Sequence, residues 1–248
     1  MCTVVLLRRP GHDWPLIIAA NRDEMADRPS AAPSRHWPDR DNVTAGLDKL
    51  AGGTWIGVND DGVVAAALNR VSGLGPHPEF RSRGELPLEA LDHAEAKVAA
   101  EALSNLEPFA YRPFNLIVAD AFDAFWLRGT GQDVSAAPIP PGVSMITAHD
   151  LNDAGSPRIR HFRALFEAAP MPDPENGTWD DWANLLRSRQ HEHGAGPGEA
   201  MAIDAEGGYG TVSSSLIALP DPVRPGVKAR WMYADGSPDD AAFQSVEM

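Results

Sequence analysis

A chain of 248 residues, 43% of them hydrophobic and 23% charged, is long enough to bury a sizeable core within one large domain or at most two small ones. Its formal net charge of −14 argues against a nucleic-acid partner, which needs a basic surface, and against docking on anionic membranes. The single cysteine rules out an intramolecular disulfide and fits a reducing compartment, and no apolar run reaches the roughly 20 residues that span a bilayer. The apolar N-terminus precedes Arg8 and Arg9, the reverse of a secretory signal, so the expectation is a cytoplasmic protein without membrane insertion.

Cys2 heads the run Cys2-Thr3-Val4-Val5-Leu6-Leu7. Two readings stand side by side. The thiol either packs at the start of a buried strand or, once Met1 is removed, shares its residue with a free α-amine. Reference pKa values of about 8.5 for the thiol and about 7.7–8.0 for the amine let both exchange protons near neutrality. Cys2–Arg8 and Leu16–Asn21 flank Pro10-Gly11-His12-Asp13, a turn by composition. If these strands pair about that turn, opposed residue numbers sum to roughly 24 by hairpin register. Cys2 then falls opposite or beside Arg22 in Asn21-Arg22-Asp23-Glu24, which reads either as a solvated turn or as a polar cluster beside a nucleophile. In the second reading Asp23 orients the α-ammonium group.

The Pro-rich stretch Arg28–Pro38 reads as a loop. Trp55–Val58 and Val63–Leu68 bracket Asn59-Asp60-Asp61-Gly62 as a hairpin. Asn69 and Arg70 then close the second strand, where Asn69 either caps the backbone or donates its amide to an oxyanion. Leu88–Leu106 reads as one broken helix or two short ones, followed by strands at Phe114–Ala119, Ala124–Arg128 and Val143–Ala148. Pro138–Pro141 and Pro170–Pro174 read as loops. Ser156-Pro157 supplies an N-cap and first helical residue, with Ile159, Phe162 and Phe166 on one face. Thr178-Trp179-Asp180-Asp181 resembles a capping box before Trp182, Leu185 and Leu186. Strands are expected at Ala200–Asp204, Thr211–Leu219 and Lys228–Tyr233. His191-Glu192-His193 lacks a third ligand in sight, so no metal site is expected there. Blocks of strands with helices between them give an α+β class with mainly antiparallel sheets, in one domain over residues 1–248.

Met1-Cys2-Thr3, Ala-Asn-Arg-Asp-Glu at 20–24, Gly-Gly-Thr-Trp-Ile-Gly-Val-Asn at 52–59 and Ala-Leu-Asn-Arg at 67–70 resemble the NRDE family, named after transport and Golgi organisation protein 2. Ser-Arg-Gly-Glu-Leu at 82–86, Phe-Asn-Leu-Ile-Val-Ala-Asp at 114–120 and Tyr-Gly-Thr-Val-Ser-Ser-Ser at 209–215 carry the resemblance over nearly the whole chain. It implies a fold like the N-terminal nucleophile (Ntn) hydrolases, a four-layer αββα sandwich of two antiparallel sheets between helix layers. By similarity to the conjugated bile-acid hydrolase and penicillin V acylase branch, it implies Cys2 as nucleophile and base, Asp23 as its orienting partner and Asn69 as an oxyanion donor. The reaction implied is hydrolysis of a carbon–nitrogen bond in a linear amide, with no cofactor required. Asn21, Arg22, Arg70 and His149 are accessory candidates. The chain departs from these patterns at Ala20, where the branch's arginine falls and Arg22 would substitute. It departs again at Thr147-Ala148, where an oxyanion Asn is missing and His149 is the nearest polar residue, and at Val212, where the family has arginine. Members of the family have been linked to haem trafficking, so the resemblance also implies an alternative: haem bound as a ligand on the same fold without hydrolase activity. The partner is then a small-molecule substrate or haem, with the oligomeric state open.

Overall fold

The computed structural model describes residues 2–71, 73, 77–204 and 206–248; Met1, whose removal the nucleophile reading requires, lies outside the described residues. In chain order its strands and helices are β1 (Thr3–Arg8), β2 (Leu16–Met25), β3 (Ser30–Ser34), β4 (Val43–Asp48), β5 (Ile56–Asn59), β6 (Val64–Asn69), α1 (Glu85–Leu91), α2 (Ala96–Leu103), β7 (Phe114–Ala119), β8 (Ala124–Gly129), β9 (Val134–Pro138), β10 (Gly142–Ile146), α3 (Pro157–Ala168), α4 (Asp180–Leu186), β11 (Tyr209–Leu219), β12 (Arg230–Asp235) and β13 (Gln244–Ser245). The class is mixed α+β with two antiparallel sheets. No helix among the described residues is long and apolar enough to cross a membrane. The chain divides into two compact units, Met1–Arg28 with Pro141–Glu247 and Pro29–Pro140.

The first unit holds a six-stranded sheet of order β10-β1-β2-β11-β12-β13. Its founding hairpin has the register that the turn composition implies: Thr3 faces Asn21, and Arg8 faces Leu16. Gly11 makes the turn in the left-handed region at φ 80°. β2 does not stop at Asn21, as expected, but runs to Met25 because β11 pairs with it along its whole length, from Leu219 opposite Leu16 to Tyr209 opposite Met25. Asn21-Arg22-Asp23-Glu24 is therefore paired strand, not a solvated turn. Helices α3 and α4 bury Ile159, Phe162, Phe166, Trp182 and Leu186 against Val5, Ile17, Ala19, Met145 and Leu216 of the sheet. Phe166 and Trp182 meet edge to face at 5.0 Å between centroids, a favoured aromatic geometry. Ser156 caps α3 through its side chain, with Pro157 in the first turn, as expected. The capping box expected at Thr178 does not form: Trp179 occupies the N-cap without a side-chain bond, and Thr178 bridges to Asp173 instead. Ala200–Asp204 is not a strand; Ala200, Met201 and Ala202 are buried in an irregular segment, where the Ala202 amide donates to the Ser188 carbonyl at 2.9 Å.

The second unit is a seven-stranded antiparallel meander, β3 through β9 in sequence order, with α1 and α2 packing Leu86, Leu91, Ala99 and Leu103 on Val63, Ala65, Leu116 and Val118. β3, β4 and β9 were not expected, and β3 lies inside the stretch read as a loop. Two of the family-like motifs meet here. The Thr54 amide donates to the Gly84 carbonyl at 2.9 Å, and a Cβ on Gly53 would lie 2.5 Å from that carbonyl group. Gly52-Gly53-Thr54 and Arg83-Gly84-Glu85 thus pack backbone on backbone, which only glycine at position 53 permits without displacement.

Candidate functional site

The site grows from the far end of β2, where Asn21, Arg22 and Asp23 are all buried polar residues. Burying a carboxylate is expensive unless it is paired and hydrogen-bonded, and Asp23 is both. Its Oδ1 accepts from the Thr211 hydroxyl at 2.7 Å, and its Oδ2 pairs with the Arg158 guanidinium at 3.2 Å. The same Arg158 nitrogen donates to Thr3 Oγ1 at 2.7 Å, while its other terminal nitrogen donates to the Gly198 carbonyl at 2.8 Å. One guanidinium therefore ties the starts of β1 and α3 and the end of β2 into a single buried knot.

Cys2 precedes β1, and hairpin register brings it beside this knot, as expected. Its thiol donates to the main-chain carbonyl of Asp23 at 3.5 Å. Tyr209 donates to that same carbonyl through its hydroxyl at 3.3 Å. Burial pushes the Cys2 thiol above its ordinary value, and the Asp23 carboxylate pushes it the same way, so the resting sulfur keeps its proton. Burial raises Tyr209 as well, with Cys2 and Asp23 adding to the effect. Such a site holds a protonated thiol against a fixed carboxylate. It can deliver a thiolate only if a base takes the proton close by.

Asn21 is placed differently from its accessory assignment. Its amide donates to the carbonyls of Leu186 at 3.0 Å and Met201 at 2.9 Å, and its oxygen accepts from Ser214 at 2.7 Å. These three bonds all go to the frame and fasten β2 to the end of α4 and to the irregular segment around Met201. Arg22 lies opposite Ser213, past a bulge in β11 that falls at Val212, and its charge lowers Tyr233 against the burial that lifts that phenol to about 12. Ala20 and Ala148 are buried apolar residues. His149 follows the end of β10, with its amide on Thr147 Oγ1 at 3.4 Å and its ring 3.7 Å from Asp153. In the second unit Asn69 is the last residue of β6, opposite Phe114, and Arg70 donates to the buried Asn115 at 2.7 Å. Of the candidates, then, the first unit brings together Cys2, Arg22 and Asp23.

Three partners of Asp23 and Cys2 escaped the sequence reading: Arg158, Thr211 and Tyr209. One signal for Arg158 was present. It sits in the first turn of α3, where the helix dipole disfavours a cation, so an opposing anion was called for. Thr211 and Tyr209 lie in a quoted motif, two residues apart on one strand face. Among the described residues no group of three His, Cys, Asp or Glu is placed to hold a metal ion; Glu192 of the His-Glu-His segment is engaged by Arg160 at 3.0 Å.

The sequence model of the family described as Transport and Golgi organisation 2 matches residues 1–222. The Transport and Golgi organization 2 homolog of Mus musculus is 35% identical over 108 residues, and that of Homo sapiens is 36% identical over 110. Each of these matches spans 42% of this chain and 38% of the relative's length. Among solved structures, an ortholog of N-acylethanolamine-hydrolyzing acid amidase from Caenorhabditis elegans is similar at a TM-score of 0.58 and 13% identity, covering 91% of this chain and 94% of its own. Penicillin V acylase from Agrobacterium tumefaciens gives 0.57 at 15% identity, covering 100% and 86% respectively. A conjugated bile acid hydrolase variant from Clostridium perfringens gives 0.55 at 11%, covering 100% and 97%. At such identities these likenesses show the fold, that of the Ntn hydrolases.

Proposed function

Because the chain belongs to the Transport and Golgi organisation 2 family and has an Ntn-hydrolase fold, we propose that it is an amidohydrolase whose nucleophile is the thiol of Cys2. The observation that carries this reading is the seat of that thiol: 3.5 Å from the Asp23 carbonyl, next to a carboxylate held by Thr211 and Arg158. A free α-amine on Cys2 takes the thiol proton, and the thiolate attacks the carbonyl carbon of a linear amide. The carbon–nitrogen bond breaks, the departing amine leaves with the proton, and water then cleaves the thioester to return the thiol. Asp23 holds the ammonium form of the amine in place, because a fixed anion costs nothing to reorganise during the step. Asn69 is proposed as an oxyanion donor on the family resemblance. Names of the structural neighbours, an amidase, an acylase and a conjugated bile acid hydrolase, support acyl amides as the substrate class.

The test is release of free amine from a panel of acyl amides by protein that begins at Cys2, with Cys2→Ala as control. Turnover abolished in the variant supports the reading. A silent panel together with saturable haemin binding by spectral titration would favour the carrier function linked to the family.

A further inference from the structure

We propose that the Tyr209 hydroxyl is a positioning donor for the Cys2 sulfur, passing from the Asp23 carbonyl to the thiolate as the thiol loses its proton. The inference rests on the reading of Cys2 as the nucleophile and deepens it. Its basis is a shared acceptor. Cys2 Sγ lies 3.5 Å from the Asp23 carbonyl oxygen and Tyr209 Oη lies 3.3 Å from the same atom. The sulfur and the phenol are therefore no farther apart than the sum of those distances, converging on one oxygen.

That geometry is comfortable only while the sulfur keeps its proton. A thiol donates to a carbonyl; a thiolate facing the same oxygen meets a lone pair and has no proton to offer. The Asp23 carboxylate adds like-charge repulsion. Of the charged groups around the sulfur, Arg158 is already committed to Asp23, Thr3 and Gly198, and Glu24 on β2 adds negative charge near the phenol. Arg22 on β2 and the α-amine of a processed Cys2 supply positive charge. The Tyr209 hydroxyl is a neutral donor at the same oxygen, and hydrogen bonds to an ionised acceptor are about twice as strong as those between neutral groups. Its placement is built into the strand. Gly207 and Gly208 adopt positive φ of 79° and 86° and turn the chain into β11. Alternation then sets Tyr209 on the face of Thr211, which already bonds Asp23.

The experiment is the pH dependence of alkylation by iodoacetamide. Cys2 is the chain's single cysteine, so the rate reports this sulfur alone. The thiolate displaces iodide, and the thiol proton goes to buffer. Tyr209→Phe keeps the ring and removes the donor; the midpoint is expected to rise by about one pH unit, making alkylation about tenfold slower below it, with an unchanged limiting rate above it. Tyr209→Gln restores a donor and is expected to bring the midpoint part of the way back. Superimposable profiles for wild type and Tyr209→Phe, or a shift shared equally by Phe and Gln, would overturn the donor role. The readout needs no amide turnover, so a silent amide panel and an unmoved midpoint are separate failures.

Discussion

The Arg158 guanidinium and the Asp23 carboxylate, 135 residues apart in sequence, form an ion pair at 3.2 Å with both side chains almost wholly removed from solvent. Breaking such a pair strands a charge without compensation, typically costing about 3–5 kcal/mol. Arg158→Met is expected to destabilise the protein by that amount, read as a lower urea midpoint at unchanged slope. Arg158→Lys keeps the charge but loses the fork that reaches Thr3 and Gly198 together, and falls between the two.

Asn21 gives the opposite contrast to its motif neighbour Asp23. Its three bonds join β2 to Leu186, Met201 and Ser214. Asn21→Ala leaves two buried carbonyls and a hydroxyl without this partner, at about 1–3 kcal/mol for each group left unsatisfied. The expected outcome is a clear fall in thermal midpoint while Cys2 alkylation at a temperature well below that midpoint proceeds at the wild-type rate.

Gly53 tests the structural half of the family-like motifs. A Cβ there would sit 2.5 Å from the Gly84 backbone, which cannot swing aside as a long side chain would. Gly53→Ala is expected to cost about 1–3 kcal/mol, the range for overpacking, measured by denaturation.

How much was legible in the sequence follows from the range of the forces involved. The β1–β2 register was readable because a short turn fixes it locally, and α3 because Ser156-Pro157 and a three-and-four apolar spacing lie within a few residues. β3, with its alanines and serines around Pro33, carries no local strand signal; it exists because β4 offers a backbone ladder. Ala200-Met201-Ala202 has the apolar character of a buried strand, yet the Met201 carbonyl bonds the Asn21 amide rather than a neighbouring strand. Cys2 and Asp23 were found because one hairpin joins them. Arg158 and Tyr209 reach them across 135 and 186 residues, a pairing that only the folded sheet and helix make.

The pH dependence of stability should carry the signature of the Cys2 thiol. Its folded value lies above the ordinary thiol value because of burial and Asp23, so the folded protein holds the proton where the unfolded chain has begun to release it. Protons bound by the native state and not by the unfolded state make stability fall as pH rises. This contribution is present in full below the unfolded thiol's pKa of about 8.5 and is lost as pH climbs toward the folded one. Comparing urea midpoints of wild type and Cys2→Ala between about pH 8 and pH 10 isolates it, since burial keeps Tyr209, the phenol that feels Cys2, protonated across that range in both. The gap is expected to move against the wild type with rising pH; parallel curves would show that the thiol is not held neutral.

Activity, if it resides at Cys2, depends on what precedes the thiol. Attack requires a proton acceptor beside the sulfur, and a free Cys2 amine is bonded to the same residue, whereas an amide nitrogen linking Met1 to Cys2 has no basicity to offer. Active protein is therefore expected to begin at Cys2, which intact-mass measurement reads directly, and a form retaining Met1 is expected to lose turnover by at least about 10²-fold, the lower range for general-base contributions. Cys2→Ala should lose amide turnover altogether and keep its fold. Asp23→Asn tests the orienting role: it removes the anion that holds the ammonium form and leaves Arg158 buried beside a neutral amide, so kcat and stability both fall. The two effects separate in Thr211→Val, which keeps the Asp23 charge and its pair with Arg158 but removes the 2.7 Å bond that fixes the carboxylate's direction. A drop in kcat with little change in KM for that variant marks loss of orientation in the transition state; unchanged kcat would show that the Thr211 bond does not orient Asp23 for the step.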